Sequence, residues 1–294
     1  MPTRTVFRLI HGILPALLML DGITAEAAVN VQKVVYHGWN EAFVISNGKA
    51  EAVVVPEIGR IMQFRFAGEE DGPFWENRSL DGRAPNPQSS EWINFGGDKT
   101  WPAPQAAWAK MTGRGWPPPQ AFDSMPVRAV MTNQDLILIS KVDPHYGIQT
   151  ERRISLSPVN AQMKIETIYH KVEGAPVRVS IWVITQLRDP DRMFIPVPLG
   201  SIFASGYNKQ SDFLPANLAR NGDLLACTRG AKDSTKIGSD AGRLVWSNKK
   251  YILEISAPRE AQGEFPDSGS SAEIYTNPDP NKYVEFELLG PPRQ

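Results

Sequence analysis

The chain has 294 residues, of which 41% are hydrophobic and 21% charged, and its formal net charge is −1 at pH 7. That balance leaves no clustered basic footprint of the kind a nucleic acid needs, so nucleic acid is excluded as an expected partner. A single cysteine, Cys227, forbids an internal disulfide, and no Cys/His cluster has metal-ligand spacing. The fold must therefore rest on its hydrophobic core, and neither metal nor cofactor is expected.

At the N-terminus, MPTRTVFR carries two arginines and no acid, LIHGILPALLML is apolar, and Ala25-Glu26-Ala27 is a small-x-small site. Together these read as a secretory signal peptide over residues 1–27, cut before Ala28. The apolar run is short of the ~20 residues a membrane span needs, and His11 and Pro15 interrupt it. The expected location is periplasmic or extracellular, with no transmembrane segment after cleavage; a retained N-terminal anchor is the alternative.

After the leader the pattern is that of strands. VQKVVY, AFVIS, AEAVVV and RIMQFRF follow one another, and LILISKV comes later. QMKIETIYHKV (162–172) alternates with period two. PVRVSIWVITQL (176–187) sets Val177, Val179, Ile181 and Val183 against Arg178, Ser180, Trp182 and Gln186. GRLVW, YILEIS and YVEFELL close the series, and SNGK (46–49) and NPDPNK (277–282) are turn signals. Many short strands and no sustained helical period predict one all-β domain over 28–294, a large antiparallel β-sandwich.

Between residues 68 and 126 the alternation stops. This stretch holds nine of the 25 prolines and five of the eight tryptophans, and it reads as a long loop without a strand. Long ordered loops tend to be functional. Within it NFGGDKTWPAPQAAWAK (94–110) places Asp98 and Lys99 between a Gly-Gly pair and Trp101. Asn94, Asp98, Lys99 and Gln105 are candidates to bond hydroxyls, and Trp101, Trp108 and Trp116 to stack on an apolar face. The alternatives are that the rings form a minor core and that Asp98 and Lys99 form an ion pair locking the loop. Arg60, after Gly59, is a candidate for a carboxylate or phosphate, or a partner for Glu57.

NFGGDKTWPAPQ, PEIGRIMQFRF (56–66) and AEIYTNPDPNKYVEFELLGP (272–291) together resemble the DUF4380 family, over roughly residues 34–291. That family resembles the galactose mutarotase-like superfamily, so the resemblance implies a many-stranded β-supersandwich that binds or transforms sugars. It also implies a late-strand glutamate as base, matched by Glu273, and a central-strand histidine as acid. Where the histidine is expected the chain has Thr185 and Gln186, neither an effective acid near neutral pH. Gln186 stays as a candidate sugar contact.

A hairpin with Asp279 at its tip would set Tyr275 opposite Tyr283 and Glu273 opposite Glu285, with Glu287 extending the row. Paired carboxylates repel and raise one pKa, which suits proton transfer. With Glu273, Glu285 and Asp98 as candidate catalytic groups, aldose 1-epimerase-like chemistry is one reading and glycan cleavage another. A solvated face is the plain alternative. His37, His145 and His170 form no motif, and Asp189 and Asp191 share a turn without enough ligands for a cation. The expected function is recognition of a saccharide by an exported protein; the alternatives are a sugar-processing enzyme and a protein-interaction envelope protein using the tryptophans.

Overall fold

A computed structural model describes residues 2–12, 28–86, 89 and 91–294. Two ten-stranded antiparallel sheets carry the chain. The first runs Ala216–Asn221, Leu224–Thr228, Arg192–Pro196, Arg243–Ser247, Tyr251–Ser256, Thr3–His11, Gln162–Lys171, Ile148–Leu156, Asp135–Ile139 and Arg128–Met131. The second runs Asn208–Lys209, Thr235–Ser239, Ala272–Thr276, Tyr283–Leu289, Ser180–Arg188, Asp98–Ala103, Arg60–Phe66, Ala50–Val55, Trp39–Ser46 and Asn30–Tyr36. The expected β-sandwich is present.

The main core lies between the sheets, because side chains alternate along each strand and one face of every sheet must leave water. Phe7, Leu136, Ile154 and Ile165 from the first sheet meet Ile61, Phe64, Ile274 and Phe286 from the second. Gln162–Lys171 has the expected period-two burial. Ser180–Arg188 is buried on both faces apart from its end and Ile181, since it lies mid-sheet under a cover.

Part of the expected leader lies outside the described residues: residue 1 and residues 13–27, with the cut site beside them. The described part, Thr3–His11, is a strand paired with Gln162–Lys171 on one side and Tyr251–Ser256 on the other, with Phe7 fully buried. Removing residues 1–27 would take this strand out of the sheet.

The expected structureless loop over 68–126 needs correction. Asp98–Ala103 is a strand of the second sheet, paired along its length with Ser180–Arg188. All six of its residues are buried, so the polar/apolar alternation that reveals a half-exposed strand is missing. Its other neighbour, Arg60–Phe66, meets it in register only at Asp98, which leaves Pro102 where the strand has a single registered partner.

Candidate functional site on the outer face of the second sheet

Val284, Phe286 and Leu288 enter the core between the sheets, so Tyr283, Glu285, Glu287 and Leu289 face outward. Register then builds three rows across the strands. The first is Lys236, Tyr275, Glu285 and Gln186; the second is Gly238, Glu273, Glu287, Ile184 and Lys99; the third is Leu289, Trp182 and Trp101.

Charges pair on the diagonals between rows. Lys236 Nζ lies 2.7 Å from Glu273 Oε2 and 2.8 Å from Glu287 Oε2, and 4.8 Å above the Trp182 ring. Trp182 Nε1 donates to Glu287 at 2.8 Å. Glu285 Oε1 accepts from Gln186 Nε2 at 2.8 Å and lies 3.7 Å from Lys99 Nζ. Gln210 Nε2 donates to Glu273 at 2.7 Å and to Ser270 Oγ at 3.0 Å. Gly238 makes this approach possible, because a Cβ there would collide with both Gln210 and Ser270.

Burial sets the protonation states. It pushes the Glu273 carboxyl up to about 8 against the pull of Lys236. It also raises Glu285, opposed by Lys99, and draws Lys99 down to about 8, opposed by Glu285. Lys236 is pulled down by burial, but Glu287 and Glu273 together outweigh this and raise it. The site thus holds carboxyls that burial makes harder to ionise beside two ammonium groups.

Aromatic rings flank the charged rows on both sides. Trp75, Tyr283 and Tyr275 form one group, with centroids 4.7 Å and 6.4 Å apart in sequence. Trp101, Trp108, Trp182, Trp92 and Trp116 form the other, edge to face at 5.1 to 6.1 Å in most pairs. Trp116 is 46% exposed, whereas Trp101 and Trp108 are buried. Of the expected stacking rings only Trp116 offers a free face; Trp101 and Trp108 belong to a minor core with Phe122, Tyr146 and Leu289.

The expected pairing of Glu273 with Glu285 is corrected by two residues: Glu273 stands opposite Glu287, and Glu285 opposite Tyr275. A slip of two keeps the face and changes the partner. Asp98 and Lys99 do not act side by side, since successive strand residues point to opposite faces. Lys99 faces the site, while Asp98 faces the other sheet, ion-paired with Arg152 and accepting from Thr185 Oγ1 at 2.7 Å. Arg60 pairs neither with Glu57 nor with an open surface: it is fully buried, with Nη2 2.8 Å from Asp123 Oδ1, which also accepts from Trp101 Nε1 at 2.9 Å. Asn94 is half-buried, and its side-chain Oδ1 accepts from the Gly96 backbone N–H at 3.3 Å. Gln105 is exposed on a 3-10 turn.

The histidines lie elsewhere. His37 Nδ1 meets Arg78 at 2.6 Å, His170 meets Glu151 at 3.3 Å, and Asp143 bonds the backbone N–H of His145 rather than its ring. Asp189 is paired with Arg229 at 2.8 Å. Sequence reasoning missed Lys236, Trp182, Gln210 and Tyr275 as site residues. TKIGS (235–239) carries the period-two signal that would have placed Lys236 opposite a buried Ile237, but it is short and contains glycine.

No protein-family model and no curated protein matches the chain. Among solved structures it is similar to a galactose mutarotase-like protein from Lactobacillus casei ATCC 334, with 7% identity, 84% of this chain and 87% of that chain covered, and a TM-score of 0.53. A putative aldose 1-epimerase from Escherichia coli K12 aligns at 11% identity over 85% of this chain and 99% of its own, with a TM-score of 0.41. At these identities the likeness is one of architecture: the chain has a galactose mutarotase-like β-sandwich fold.

Proposed function

We propose that the protein recognises a carbohydrate on the outer face of the second sheet, above Lys236, Tyr275, Glu285 and Gln186. One observation carries this reading: a strip of hydrogen-bonding charges lies between two aromatic groups, which is the combination a polyhydroxylated ring with apolar faces requires. Lys236 and Glu285 reach the surface of the strip, with side chains 20% and 10% exposed, and Trp116 stands at its aromatic edge. The finer family reading, DUF4380, and export through the N-terminal segment belong to the same proposal and rest on sequence features alone.

A second reading, an aldose 1-epimerase-like activity, is favoured by the raised pKa of Glu273 beside Lys236 at 2.7 Å. Hemiacetal opening needs a base at the anomeric hydroxyl and an acid at the ring oxygen. Glu285 is the most accessible of the three carboxylates, with its side chain 10% exposed, and its raised pKa strengthens it as a base. With Thr185 and Gln186 in place of a histidine, the acid is Glu273, whose proton reaches the ring oxygen by way of Lys236 at 2.7 Å, since Lys236 is itself held too basic to be the acid.

The test is a saccharide array with NMR anomer-exchange spectra on wild type, Trp116→Ala and Glu285→Gln. Trp116→Ala should fold normally and bind about 10-fold more weakly. Glu285→Gln should bind yet lose any acceleration of exchange. Trp101→Ala is the wrong probe, because emptying that buried site should cost about 3–5 kcal/mol of stability. An array without a hit, or Trp116→Ala binding at full strength, overturns the reading.

A further inference from the structure

Lys99 has no task in that reading. Its side chain is 0% exposed, and its Nζ makes no hydrogen bond among the described residues. The nearest carboxylate oxygen, Glu285 Oε1, stands 3.7 Å away, and the Trp101 ring lies under the ammonium at 4.9 Å. A buried ammonium without a hydrogen bond is costly, and such groups in folded proteins are met by protein, water or ligand. Trp92 Nε1, across the same Trp101 ring, is a second buried donor with no acceptor among the described residues.

The unpaired ammonium constrains what can meet it. The occupant must accept from Lys99 and be tolerated by Glu285, which already accepts from Gln186. A carboxylate or phosphate accepts but is repelled by Glu285 and by Glu287 on the same strand. An ammonium donates and cannot accept. A hydroxyl accepts from Lys99 and donates to Glu285 at once. We infer that Lys99 and Glu285 form the innermost subsite for one uncharged hydroxyl of a saccharide, and that Lys99 decides which hydroxyl position is read. This rests on the carbohydrate reading above and narrows the ligand to neutral sugars bearing that hydroxyl.

The experiment measures Kd by calorimetry for D-glucose and D-galactose, their monodeoxy derivatives and the matching uronic acids, on wild type and Lys99→Met. In wild type, one monodeoxy position should weaken binding about 100-fold, because the ammonium is left unpaired. In Lys99→Met the same position should cost no more than about 3-fold. Equal penalties in both proteins, or a uronic acid bound more tightly than its neutral parent, overturn the inference while leaving carbohydrate binding intact. No binding by any of these sugars to wild type removes the carbohydrate reading and the subsite with it. Should Lys99→Met fail to fold, a crystal structure of wild type with the bound hexose decides the matter. A sugar hydroxyl within hydrogen-bond distance of Nζ supports the subsite, and only a water there overturns it.

Discussion

Lys236→Met should lower the stability of the fold by about 3–5 kcal/mol, and by more at pH 8 than at pH 5.5. Glu273 and Glu287 are directly opposite on neighbouring strands, both buried, and Lys236 Nζ holds both at 2.7 and 2.8 Å. Without it two carboxyls face each other away from water, and the repulsion is relieved only by protonation. The wild type already leans this way. Glu273, ordinarily near 4.5, is raised to about 8 in the fold, so its contribution is fully present below pH 4.5 and is lost as the pH rises through 8. Lys99 works in the opposite sense: lowered to about 8, it costs stability below pH 8, and the cost fades as the pH rises toward 10.5. In the variant the loss of the ammonium raises Glu273 further and steepens the fall between pH 5.5 and 8. Urea unfolding at both pH values checks this; a loss below about 1 kcal/mol at pH 8, or no dependence on pH, would show that Lys236 is not the counter-charge.

The same triad shows how far the sequence could be read. Period two in AEIYTN and YVEFELL places Glu273, Glu285 and Glu287 on one face without any structure, and that much held. The partner of each depends on where the turn between them is centred: the expected hairpin turns on Asp279, whereas the pairing of Thr276 with Val284 centres it on Pro280. Lys236 was hidden because its role arises from three strands meeting, two of them far along the chain. Aromatic residues without periodicity read as surface, yet Trp101 and Trp108 are buried because Trp182, Leu289 and Phe122 come from other elements to cover them. What was legible was the class of fold and the face of each strand. What was not was which elements lie across from one another, since that is decided by non-local pairing.

Asp98 carries the other large expected effect, and it separates a structural role from a site role. Asp98→Asn should cost about 3–5 kcal/mol, because it leaves the Arg152 guanidinium buried between the sheets without a counter-charge. Asp98 Oδ2 also accepts from Thr185 Oγ1 at 2.7 Å, and Arg152 Nη1 donates to the Asp98 backbone oxygen at 3.4 Å, so the pair ties Asp98–Ala103, Ser180–Arg188 and Ile148–Leu156 together. Removing both charges at once, as Asp98→Asn with Arg152→Met, should cost less than the sum of the two single changes, since no unpaired charge remains. Denaturant titration of the four proteins gives that coupling directly. Saccharide binding by Asp98→Asn, measured below its unfolding midpoint, should match wild type, because the side chain faces the opposite side of the sheet from Lys99 and Glu285. Additive losses would mean that the ion pair does not bind the sheets together. A binding defect in folded Asp98→Asn would return Asp98 to the site and require the ligand to reach between the sheets.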